Sequence, residues 1–131
     1  MTSVGVWQPD DARLTSSTLE RLSEASKFID EPTLGLTADE IAKWSSVMRL
    51  DAQTWQPLLT AESDARLILL VRFFTVAEMR LPGWEAGARS PVIRIVAELR
   101  HRNAYPAELT AWIKANTTNR FLPYGSLAER L

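Results

Sequence analysis

Along this chain the apolar positions recur three and four residues apart rather than at every second residue, which is the spacing of helices that bury one face. After "STLE", Leu19, Leu22, Ser26 and Ile29 share a side of a helix; after "TADE", Ile41, Trp44, Ser45 and Met48 do the same. The tetrapeptides themselves read as helix starts. Ser17 stands three residues before Glu20, and Thr37 three before Glu40, so each pair can satisfy free main-chain N–H groups reciprocally. "SLAE", Ser126 to Glu129, repeats the pattern near the end of the chain, and "PTLG", ending at Gly35, reads as a turn between the first two helices.

Further along, Asp51 or Thr54 starts a short helix carrying Trp55, Leu58 and Leu59, with Pro57 expected in its first turn, where a missing N–H costs little. Ser63 then caps "DARLILLVRFFTVAEMRL", whose apolar residues surround most of the circumference instead of forming a stripe. This predicts a central, largely buried helix, stopped by Pro82 and Gly83. Ser90 and Pro91 open the next helix, "PVIRIVAELRHR", with cap and first-turn proline in their preferred places. Asn103 reads as a left-handed cap, and Pro106 as the start of "PAELTAWIKAN", where Leu109, Trp112 and Ile113 share a face and Asn116 ends the run. No window alternates with period two. The expected fold is all-α, a compact single-domain bundle of about six helices spanning 1–131, with an irregular N-terminal segment over 1–16 and a loop-rich tail over 117–131.

Composition agrees with one soluble domain. A chain of 131 residues removes roughly two-thirds of its unfolded surface from water, and 46% hydrophobic with 24% charged residues is ordinary for a globular protein. The absence of cysteine excludes a disulfide framework and thiolate metal sites, and suits a cytoplasmic setting. "MTSVGVWQPDD" has no basic region followed by an apolar run, so neither a secretory signal nor a membrane anchor is expected.

Charge changes the picture more. Residues 1–64 carry five Lys and Arg against eleven Asp and Glu, whereas residues 65–131 carry ten against five, nine of the ten being arginine. The halves either attract each other within one fold, or offer an acidic and a basic surface to partners or to a second copy of the chain. On the helix after Ser90, Val92, Ile95, Val96 and Leu99 point inward, while Arg94, Glu98, His101 and Arg102 share a polar arc in which a ladder of four-residue spacings predicts surface ion pairs. Arg94, His101 and Arg102, joined by Arg89 and Arg120, are candidates for a positive patch. Arg100 lies toward the apolar side, where it either snorkels past the helix end or pairs with Glu78 or Glu85.

The connection "LPGWEAGARSP" adds Trp84, which turn chemistry leaves unexplained: it either covers the junction of the flanking helices or stands out as an anchor for a partner. "NRFLPYG" offers Phe121 and Tyr124 in the same double sense. Chemistry is otherwise sparse. The lone histidine excludes a multi-histidine metal site, the acids lack calcium-loop spacing, and no phosphate-binding glycine pattern or nucleophile elbow occurs, so no metal, cofactor or catalytic residue is assigned. The favoured reading is a non-catalytic helical module, interacting or regulatory, that recognises a protein partner through Trp84, Arg89, Arg94, His101, Arg102, Arg120, Phe121 and Tyr124. A nucleic-acid-binding regulator using the basic half, and a small-ligand binder or enzyme without a short motif, are the alternatives.

Overall fold

The computed structural model describes residues 14–125. Six α-helices follow one another with no strand among the described residues: α1 Ser16–Ala25, α2 Ala38–Trp44, α3 Ala52–Ala61, α4 Asp64–Arg80, α5 Pro91–His101 and α6 Leu109–Ala115. Short 3-10 turns extend α1 and α2 and precede α5.

α4 is the axis of the bundle. Ser63 caps it by accepting from the Arg66 N–H, and from Leu70 to Glu78 every residue but Arg72 is buried. α1 packs on one side and α5 on another, with α3 against α5. α5 begins as expected at Ser90 and Pro91 and ends in a left-handed residue, Asn103 at φ +57°, which turns the Ala104 N–H back onto the Leu99 carbonyl at 2.8 Å.

Two starts differ from the sequence reading, and one proline sits deeper in its helix than expected. α1 begins at Ser16, and its capping box joins Thr15 and Thr18 rather than Ser17 and Glu20. Leu14 and Leu19, immediately before the cap and four residues after it, are both buried, an arrangement that fixes the chain's entry two residues earlier. Of the two starts expected for α3, Asp51 caps it, so Pro57 stands inside that helix rather than in its first turn; it is exposed, and the helix bond it forfeits belongs to exposed Gln53. α6 starts at Leu109, because Pro106 opens a turn whose carbonyl accepts from the Leu109 N–H at 3.1 Å. The Thr37–Glu40 box forms as expected. The "SLAE" signal lies outside the described residues, as does the segment before Leu14.

The connection after α4 is organised by Trp84. Its side chain is fully buried, edge-on to Phe73 with centroids 5.9 Å apart and close to Phe74, which in turn meets Trp55 at 5.7 Å. The indole N–H donates to the Ile41 carbonyl at 2.9 Å. Gly87, at φ +56°, supplies the left-handed step that returns the chain toward α5. Trp84 is therefore part of the core, and its expected role as an exposed anchor is corrected: four large rings meet at one depth, and the connection is shaped to deliver the last of them.

Candidate functional site

Three of the arginines that gave the second half its positive charge, Arg80, Arg89 and Arg102, turn onto main-chain oxygens. Arg102 donates to the carbonyls of Leu59, Thr60 and Glu62 at the end of α3 and to the Asp64 and Glu98 carboxylates. Arg80 donates to the carbonyls of Ile29 and Glu31 beyond α1, and Arg89 to that of Arg49 at 3.4 Å. Arg49 reaches across to Gly83. Helix ends present unsatisfied carbonyls carrying partial negative charge, and a guanidinium fork meets several at once.

This rearranges the expected positive patch. Arg102 is engaged by α3, so it is withdrawn from a shared surface with His101, which is exposed at the end of α5. Of the expected ladder the Glu98–Arg102 pair forms, at 2.7 Å, and the Arg94–Glu98 pair does not; Glu98 also accepts from Gln56 at 3.1 Å, and the hydrogen bond from Arg102 holds its carboxyl below the usual range. Arg94 instead lies half-buried, its Nε enclosed without a hydrogen bond. Arg100 pairs with neither Glu78 nor Glu85; its guanidinium stacks 4.8 Å from the Tyr124 ring. Tyr124 is half-buried, its hydroxyl shared with Thr110 at 2.9 Å.

Arg120 and Phe121 are brought together elsewhere, on a cleft of about 320 Å³ where the tail crosses the last turn of α4. Its other walls include Met79, Glu85 and Thr118, and Glu78 reaches it from the helix. Asn119 is the staple of this corner. Its Nδ2 donates to the Gly87 carbonyl at 3.0 Å and to Glu78 Oε1 at 3.3 Å, while its Oδ1 accepts from the Phe121 N–H at 3.0 Å. The second oxygen of Glu78 accepts from the Ser90 hydroxyl, which itself accepts from the Val92 N–H as the cap of α5. One carboxyl thus joins α4, the start of α5 and the tail.

Burial pushes the Glu78 carboxyl up to about 7, against the opposing pull of the Ser90 and Asn119 hydrogen bonds and the Ala86 N–H. Neither Glu78 nor Asn119 was marked as a site residue from sequence. The available signal was an acid at a core position of a helix that is apolar all round; nothing local marked Asn119. The loops flanking Trp84 and Phe121 do meet, but the tryptophan faces the interior, so the surface they form carries arginine and phenylalanine without it.

Beside the cleft lies a second hollow of about 350 Å³ sharing Thr118, Asn119 and Arg120, with Lys114 on its far side. Among the described residues no group of three or more His, Cys, Asp or Glu side chains is placed to hold a metal ion, and no helix is long and apolar enough to cross a membrane. The chain matches no protein-family model, no curated protein and no solved structure.

Proposed function

We propose that this protein is a non-catalytic recognition module that binds a protein partner through the cleft bounded by Arg120, Phe121 and the last turn of α4. The observation that carries the reading is the convergence there of an exposed arginine, a half-buried phenylalanine and exposed Met79 on an open concavity held rigid by Asn119. Arginine and aromatic side chains at a fixed concave surface are the usual anchors of protein interfaces.

The chemistry around Glu78 favours recognition over catalysis. The hydroxyl next to it, on Ser90, is fully buried, donates a hydrogen bond to Glu78 and accepts one from the Val92 N–H, so it serves as a helix cap rather than as a nucleophile. The nucleic-acid alternative draws less support, because Arg80, Arg89 and Arg102 spend their donors on the chain's own carbonyls instead of presenting them to phosphate. Arg66 with Glu62 and Arg102 with Asp64 pair the basic half with the acidic half within one chain, which weakens the case for self-association.

The test is capture from native cell extract by the wild-type protein and by an Arg120→Ala/Phe121→Ala variant, with and without nuclease. A protein retained only by wild type, regardless of nuclease, is the expected result. Equal retention by the variant removes the cleft as the binding surface, and loss of retention on nuclease treatment transfers the reading to nucleic acid.

A further inference from the structure

Glu78 is a buried acid without a cation. It is 7% exposed, and the partners of its oxygens, Ser90 and Asn119, are neutral. The ion pairs among the described residues involve Glu40, Glu62, Asp64 and Glu98, and none reaches Glu78. The two nearby helix ends oppose each other. Glu78 sits in the last turn of α4, where the dipole disfavours negative charge, and against the first turn of α5, where it favours it. Buried carboxylates are ordinarily paired, and an unpaired one costs several kcal/mol or stays protonated. This one opens on a cleft.

We propose that the cleft receives the primary ammonium group of a lysine side chain from the protein partner, which supplies the counter-ion that Glu78 lacks. The inference rests on the reading of the cleft as a recognition surface and names what that surface recognises. Glu85 adds a second acid to the wall. Met79 and Phe121 offer apolar surface to the four-carbon stem. Lysine fits better than arginine. An ammonium needs only one of the lone pairs that Ser90 and Asn119 leave on the carboxylate, whereas a bidentate guanidinium needs one on each oxygen at once. Arg120, the remaining charge on the cleft, suits an acidic residue beside that lysine.

Binding is coupled to ionisation. The lysine arrives as an ammonium and remains one; Glu78, where protonated, gives its proton to solvent as the pair forms. The other titratable groups facing the cleft are Glu85 from the α4–α5 connection and Arg120 from the tail, while α5 contributes neutral Ser90 and the tail neutral Asn119.

The test is a titration of the wild-type protein with Nα-acetyl-lysine methylamide, followed by the amide resonances of Gly87, Asn119 and Phe121, with the norleucine analogue as uncharged control. With Glu78 titrating near 7, the expected apparent affinity rises about tenfold from pH 6 to pH 8. The norleucine compound is expected to leave these resonances unmoved, and Glu78→Gln to abolish the lysine response. Equal binding of norleucine, an affinity independent of pH, or no response to the lysine compound overturns the proposal. Should Glu78→Gln fail to fold, the pH and norleucine arms on wild type decide alone. A partner lost on Arg120→Ala/Phe121→Ala but indifferent to pH leaves the recognition surface standing and removes only the lysine.

Discussion

The Arg102 guanidinium donates to the Leu59 main-chain oxygen at 2.9 Å, so the last turn of α5 closes the last turn of α3. The same fork takes the carbonyls of Thr60 and Glu62. Arg102→Ala strips donors from several carbonyls at once and is expected to cost about 2 kcal/mol. Arg102→Lys is expected to recover less than half of that, because a point charge cannot serve divergent acceptors together. Urea midpoints of the three proteins check both statements.

Glu78 gives stability an uncommon dependence on pH. Its folded value of about 7 lies above the ordinary 4.5. Below 4.5 the group is protonated in both states; as pH rises the unfolded chain ionises first, so its contribution to stability is lost across roughly pH 4.5 to 7, by up to about 3 kcal/mol, and changes little above. Glu40, Asp51 and Glu98, all held below their usual range, act in the opposite sense and at lower pH, where protonation removes their contribution. Denaturation at pH 5 and pH 8 is expected to show wild type weaker at pH 8, and Glu78→Gln with most of that difference gone.

Trp84 fills the interior and ties the α4–α5 connection to α2. Trp84→Ala is expected to cost about 3–5 kcal/mol through the cavity left beside Phe73 and Phe74. Trp84→Phe keeps the apolar contact but leaves the Ile41 carbonyl without its donor, a loss of about 1–2 kcal/mol. Thermal unfolding of the two variants separates packing from hydrogen bonding.

Two glycines with left-handed backbones differ in what surrounds them. A methyl group at Gly35 would lie 3.1 Å from the Phe28 ring, whereas one at Gly87 meets nothing within 4 Å. Gly87→Ala is expected to cost about 1 kcal/mol from backbone strain alone. Gly35→Ala is expected to cost more, and Phe28→Ala in the same chain to relieve the excess; a double-mutant cycle reads this directly.

Helix content, the Thr37 and Ser63 caps, the Asn103 stop and the buried α4 were legible because each is written in neighbouring residues. The start of α1 was misplaced because Leu14, outside the helix, decides it together with Leu19. The cleft was half legible. Arg120 and Phe121 stood out by residue type and position in a loop, but Glu78, Ser90 and Asn119 meet across separations of 12 and 41 residues that no local pattern spans. Charge asymmetry was visible as a sum, yet its use was not, since the acceptors of Arg80 and Arg102 are mostly carbonyls, which every residue possesses.

Those bonds to the main chain have a genetic consequence. A link between two side chains can be broken from either end, but a link from an arginine to a carbonyl can be broken by substitution at one end only. Leu59, Thr60 or Ile29 can be exchanged for most residues without withdrawing the oxygen that Arg102 or Arg80 holds. These particular ties therefore weigh on the Arg80 and Arg102 codons, and no compensating change at the acceptor position can restore one that is lost.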